Sequence, residues 1–148
     1  MNLDQPLTNL AVTTVNNLVV FAGGYNMMTG TFSDDVYIFE CQLDGTLEKS
    51  SNPVLKLSER RSKLVAATVG NLVVFAGGVI QTGSEGDTDT IDIFLQDTDG
   101  TLREITDHGL RLSMPREGLA VTTVADKFVI FAGGDTETID IFEYVGDG

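Results

Sequence analysis

A net charge of −13, from 9 basic and 22 acidic residues among 148, argues against nucleic acid and anionic membrane as partners, because phosphate contacts need clustered Lys and Arg. With 42% hydrophobic residues the chain can supply a sizeable core, while the single cysteine, Cys41, allows no internal disulfide and no cysteine-based zinc site. Met1-Asn2-Leu3-Asp4-Gln5-Pro6 has neither the basic head nor the apolar run of a secretory signal, so a cytoplasmic location is expected.

In chain order, the first unit opens with an apolar, Thr-rich run, Leu10-Ala11-Val12-Thr13-Thr14-Val15, and a polar turn, Asn16-Asn17. Leu18-Val19-Val20-Phe21-Ala22-Gly23-Gly24 follows, four apolar residues running into a glycine pair, which reads as a buried strand with a sharp exit. The next loop holds Tyr25, Asn26, Met27, Met28 and Phe32, an unusual amount of apolar surface for a glycine-containing turn. A third strand, Val36-Tyr37-Ile38-Phe39, leads to an Asp44-Gly45 turn and a short fourth, Thr46-Leu47-Glu48.

The second unit repeats this order. Leu64 to Val69, the turn Gly70-Asn71, and Leu72-Val73-Val74-Phe75-Ala76-Gly77-Gly78 precede a polar loop from Gln81 to Asp89, expected to be mobile. Ile91-Asp92-Ile93-Phe94, Asp99-Gly100 and Thr101-Leu102-Arg103 complete it. In the third unit Leu119 to Val124, a longer turn Ala125-Asp126-Lys127, and Phe128-Val129-Ile130-Phe131-Ala132-Gly133-Gly134 are followed by Ile139-Asp140-Ile141-Phe142 and Asp147-Gly148. No fourth strand is written after that turn.

Phe21, Phe75 and Phe131 lie 54 and 56 residues apart. That spacing is too long for helical-hairpin arrays and close to a period of about 50 residues. A hydrophobic run followed by Gly-Gly and a later aromatic residue resembles the kelch repeat, and the resemblance covers nearly the whole chain. It implies an all-β, kelch-like β-propeller: blade 1 spans about 7–52, blade 2 about 61–107 and blade 3 about 116–148, the last lacking its outer strand. The Thr-rich run would be the innermost strand of each blade and the glycine-pair strand the second. Kelch units usually carry a tryptophan near the outer strand; this chain has none, and Leu47 and Leu102 are the nearest apolar substitutes.

Propellers use about four to eight blades, so three units do not close a ring. Two remedies are expected: a head-to-tail homodimer, giving six blades, or membership of a longer propeller.

Function is expected on the face bearing the variable loops and the lead-in to each inner strand. Tyr25, Met27, Met28 and Phe32 are the candidate contacts for a protein or peptide partner. Arg61 and Arg116 occupy equivalent lead-in positions and could together grip a carboxylate of a peptide or an acidic sugar; alternatively each pairs with a neighbouring blade's carboxylate, such as Asp35 or Glu59. Gly23, Gly24, Gly77, Gly78, Gly133 and Gly134 are read as structural, because no Lys-Ser or Lys-Thr follows them to form a phosphate loop.

The acidic residues Glu85, Asp87, Asp89, Asp92, Asp135, Glu137 and Asp140 lack the spacing of a calcium loop, so no metal is expected. His108 is the sole histidine and falls in a turn, which leaves no material for a Ser/Cys–His triad or a multi-histidine metal site. The expectation is a non-enzymatic binding module without cofactors. Its alternative is a carbohydrate-active propeller, either a sugar-binding module or a protein like the sialic-acid mutarotases.

Overall fold

The computed structural model describes residues 2–50, 54–82 and 84–146. Blade 1 contains β1 (Ala11–Val15), β2 (Leu18–Ala22), β3 (Tyr25–Asn26), β4 (Thr31–Phe32), β5 (Asp35–Cys41) and β6 (Leu47–Lys49). Then come β7 (Leu55–Lys56) and β8 (Arg61–Ser62), which lead into blade 2: β9 (Val65–Val69), β10 (Leu72–Ala76), β11 (Val79–Thr82), β12 (Ser84–Asp87), β13 (Ile91–Gln96) and β14 (Leu102–Ile105). Blade 3 holds β15 (Leu119–Val124), β16 (Phe128–Gly133) and β17 (Ile139–Glu143).

The main sheets are antiparallel, in the orders β1-β2-β5-β6, β9-β10-β13-β14 and β15-β16-β17. Among the described residues blade 3 therefore has three strands, and the Asp147-Gly148 turn lies outside them. Short turns set the register. Val15 pairs with Leu18 across Asn16-Asn17, where Asn16 is left-handed at φ 48°, and Val69 pairs with Leu72 across Gly70-Asn71. In blade 3 the three-residue turn has both Ala125 and Asp126 left-handed.

Each blade is one sheet, so the core lies between sheets. Period-2 alternation divides β2 and β5 into two sets: Val20, Ala22 and Ile38 face blade 2, where they meet Val73, Phe75 and Phe94. One blade further on the arrangement repeats, with Val74, Ala76 and Ile93 against Val129, Phe131 and Phe142. Within each sheet the phenylalanine of the second strand meets that of the third edge-on, with ring centroids 5.8–6.0 Å apart. Leu102 is fully buried between blades 1 and 2, whereas Leu47, its equivalent on the open side of blade 1, is 44% exposed.

Two expectations about the loops change. The segment from Gln81 onward is a hairpin, β11 with β12, and β11 also pairs with β8 (Val79 with Ser62, Ile80 with Arg61). The loop after Gly24 is likewise a small hairpin, β3 with β4. Pairing of backbone donors and acceptors recruits both loop sequences into strands, which a reading based on side-chain polarity misses.

The glycine pairs fix how one blade joins the next. Gly23 and Gly24 have φ of +69° and +106°, Gly77 and Gly78 +65° and +104°. The second glycine donates its N–H across the boundary, Gly24 to the Arg61 carbonyl (2.9 Å) and Gly78 to the Arg116 carbonyl (3.0 Å). A Cβ on Gly77 would sit 2.5 Å from Leu119 Cδ1 and 2.7 Å from the Arg116 carbonyl, and one on Gly78 would sit 2.4 Å from the Ser62 carbonyl. Gly77→Val and Gly78→Val should each destabilise the fold by more than ~1 kcal/mol, since both the left-handed φ and the space are denied to a β-branched residue. Thermal melts read this directly, and an unchanged midpoint for either variant would remove the role given to the pair.

Candidate functional site

Six side chains were singled out by sequence, and the structure sorts them into three environments. Met27 and Met28 stand at the tip of the β3–β4 hairpin, 73% and 84% exposed. The Asn26 carboxamide oxygen holds this tip by accepting from the backbone N–H groups of Met28 (2.9 Å) and Thr29 (3.3 Å). Phe32 is buried rather than exposed, because it packs edge-on against half-buried Tyr25 with ring centroids 5.4 Å apart. The apolar content of this loop is therefore split between a stem that packs on itself and a tip that does not.

Arg61 and Arg116 are almost fully buried, and their guanidinium groups are committed to their own blades. Arg61 Nη2 donates to Asp92 Oδ2 (2.6 Å) and Nη1 to the Thr90 carbonyl (2.8 Å). Asp92 also accepts from the Ser58 backbone N–H. Blade 3 repeats the set: Arg116 Nη2 pairs with Asp140, Nη1 donates to the Thr138 carbonyl (2.8 Å), and Asp140 accepts from Ser113 N–H.

The expectation of arginines open to a ligand is thus corrected, and so is the alternative of a neighbouring blade's carboxylate. Asp35 pairs with Lys56, and Glu59 accepts from Thr88 and Thr90. Burial pushes the Arg61 guanidinium below its ordinary range, opposed by Asp92 and Glu59. In blade 1 the two positions hold Leu7 and Tyr37, so arginine and aspartate are lost together.

The Arg–Asp pair is expected to be worth more as a couple than its members are alone. Arg61→Ala leaves Asp92 buried without its cation and should cost about 3–5 kcal/mol, whereas Arg61→Met with Asp92→Leu should cost far less. Urea denaturation midpoints separate these outcomes, and equal losses for single and double variants would contradict the pairing.

The open site on this face lies between the lead-ins of blades 1 and 2. A pocket of about 220 Å³ is lined by Asn9, Tyr25, Phe32, Ser62, Lys63 and Glu85, among others. Asn9 and Lys63 each lie two residues before their inner strands, and both are left-handed at φ 55°. Glycine occupies the equivalent position, Gly118, in blade 3. A side chain in that conformation costs ~1–2 kcal/mol, a cost the surrounding structure must impose, here through the Lys63 N–H bond to the Asn9 carbonyl.

Lys63 N–H donates to the Asn9 carbonyl (2.8 Å), tying the two corners together, and Lys63 Nζ lies 2.7 Å from Glu117 Oε2 of blade 3. Glu117 holds the exposed Lys63 ammonium above its ordinary pKa, first by hydrogen bonding and then by charge, so it stays a cation. The pocket thus combines an aromatic pair, hydrogen-bonding Asn and Ser side chains, a fixed cation and nearby carboxylates.

Sequence reasoning found Tyr25 and Phe32 here but missed Lys63 and Asn9. Their signal was the repeat alignment itself, which sets a lysine and an asparagine against a glycine. A second, polar pocket of about 320 Å³ at the rim of blade 2 is lined by Asp92, Glu104, His108 and Arg111. There His108 is half-buried, with Nδ1 accepting from Leu110 N–H. Among the described residues no three His, Cys, Asp or Glu side chains converge as a metal site.

No protein-family model matches the chain, and no curated protein matches its sequence. Among solved structures it is similar to YjhT, at 15% identity and a TM-score of 0.66. The match covers 93% of this chain and 42% of that one, so the chain spans less than half of the neighbour's length. At this identity the likeness shows the fold, which is all-β and a partial kelch-like propeller.

The expectation of a non-enzymatic module is corrected, because the propeller shared with this neighbour is a fold that does not exclude an activity. The expectation had rested on the lack of a His-based triad, and interconverting sugar anomers needs only one group to take a proton and another to give one.

Proposed function

We propose that this chain is part of a carbohydrate-active kelch-repeat propeller that takes an acidic sugar on the face bearing Asn9, Tyr25 and Lys63. The observation that carries the reading is the pocket between the first two lead-ins, where a cation fixed by Glu117 stands beside an aromatic pair. Lys63 supplies the charge for a sugar carboxylate, Tyr25 an apolar surface for a pyranose face, and Asn9 and Ser62 the hydrogen bonds to hydroxyls. The fold shared with YjhT supports the propeller on which this reading rests.

Anomer interconversion requires removal of the anomeric O–H proton as the ring C–O bond breaks and its electron pair moves to the ring oxygen, which takes up a proton; reclosure reverses the steps. Glu85 and Glu117 are the carboxylates of this face that could carry the protons. Exchange NMR on N-acetylneuraminic acid tests the reading. Acceleration of anomer exchange, with Lys63→Ala weakening binding at least tenfold (about 1.4 kcal/mol), is expected. Neither binding nor acceleration at millimolar sugar would overturn it.

A second reading is favoured by the exposure of Met27 and Met28, adaptable apolar side chains at a hairpin tip: a protein or peptide contact alongside the sugar site. Met27→Ser with Met28→Ser should leave the melting temperature unchanged and abolish capture of a stoichiometric partner. Undiminished capture would rule this tip out.

A further inference from the structure

The two blade boundaries present in the chain are built from the same three backbone hydrogen bonds. At the first, Gly24 N–H donates to the Arg61 carbonyl, Arg61 N–H to the Ser33 carbonyl, and Leu57 N–H to the Asp34 carbonyl. At the second, Gly78 donates to Arg116, Arg116 to Thr88, and Leu112 to Asp89. The repeat register translates these into a third set that the chain cannot make with itself: Gly134 N–H to a Leu7 carbonyl, Leu7 N–H to the Thr136 carbonyl, and Leu3 N–H to the Glu137 carbonyl. Among the described residues none of these six groups has a backbone partner.

The side chains tell the same story. Ile91 and Ile93, on the side of blade 2 that faces blade 3, are 4% and 7% exposed, and their equivalents Ile139 and Ile141 are 60% and 62% exposed. On the opposite flank of the arc, Val19, Phe21, Phe39 and Leu47 line an open apolar pocket of about 230 Å³ with Leu3. Val19, Phe21 and Phe39 are the register equivalents of Val73, Phe75 and Phe94, which are fully buried in the first boundary.

Gly133 is left-handed like Gly23 and Gly77, yet nothing lies within 4 Å of where its Cβ would be, whereas a Cβ on Gly23 would meet the Arg61 carbonyl at 2.6 Å. Asp140 alternates with Ile139 and Ile141 along β17 and is engaged by Arg116 of its own blade. Between them the two open faces retain the apolar residues, the glycine (on blade 3) and the backbone groups of a blade boundary.

We infer that the open face of blade 3 binds blade 1 of a second copy of this chain, and that two copies close head to tail into a six-bladed ring joined at two identical seams. The occupant is set by continuity with the existing boundaries: a second copy brings Leu3, Leu7, Val19 and Phe21 in the register that blade 3 is missing. The ring size falls within the ~4–8 blades that propellers use. One chain covers 42% of a solved propeller of this kind, so two supply most of such a ring. A heterologous interface that closes after two copies leaves neither face exposed.

Size-exclusion chromatography with multi-angle light scattering on the whole chain, at 5–100 μM and ~0.15 M salt, tests this. A mass twice 15.9 kDa is expected. Ile139→Lys with Ile141→Lys on one face, and Leu47→Lys on the other, should each raise the dissociation constant at least tenfold while far-UV circular dichroism stays that of the native sheet. All three positions are exposed within one chain, so folding is not at stake. A monomer at 100 μM, a mass other than two chains, or sensitivity to only one of the two faces would overturn the ring. The last outcome would mark a face-to-face dimer instead. Because the readout is mass, it stands or falls separately from any sugar measurement.

Discussion

Every blade boundary in this chain depends on a backbone approach that only glycine permits. The strand that ends in Gly23-Gly24 or Gly77-Gly78 leaves its sheet with left-handed φ, and in doing so turns one N–H toward the lead-in of the next blade. That lead-in residue is an arginine at both boundaries. Its backbone joins the preceding blade while its side chain reaches the third strand of its own blade, where Asp92 or Asp140 receives it. One residue therefore couples the contact between blades to the contact within a blade. The arginines belong to the scaffold, whereas the side chain two positions later, Lys63, is exposed and reaches Glu117 of the third blade.

The repeat was legible because three constraints recur at fixed spacing: the β-branched second strand, the glycine pair that ends it, and the Asp-Gly turn after the third strand. From these the strand order within each blade follows, and Val20 with Ile38 or Val74 with Ile93 pair as the alignment requires. What the sequence concealed lay at positions where the same residue type serves two ends. Arginine at a lead-in reads equally as a ligand clamp or a buried partner, and the choice turns on Asp92, an acidic residue in the middle of a strand that had been weighed as a metal ligand. A buried strand carboxylate with an arginine in the same unit is itself the signal, reinforced by Leu7 and Tyr37 replacing both in blade 1.

The candidate pocket was half visible. Tyr25 and Phe32 stood out by type, although packing draws Phe32 inward and leaves Met27 and Met28 as the exposed pair. Lys63 was invisible to composition because its distinction is conformational: a lysine held left-handed where the third unit uses glycine. The polar loop from Gln81 misled for the converse reason, since Ser84–Asp87 pairs back onto Val79–Thr82 through backbone bonds that no side-chain pattern reports.

Because the core lies only between blades, the sheets are not equivalent in how they are held. Blade 2 is covered on both sides, blades 1 and 3 on one, so in a single chain local opening is graded outward from the middle sheet. Amide protons of β10 and β13 would then exchange through global unfolding, and those of β17 through fraying of an edge. Folding inherits the same asymmetry. A nucleus containing β9 and β10 can grow in either direction, so the middle unit acts as the template on which its two neighbours order.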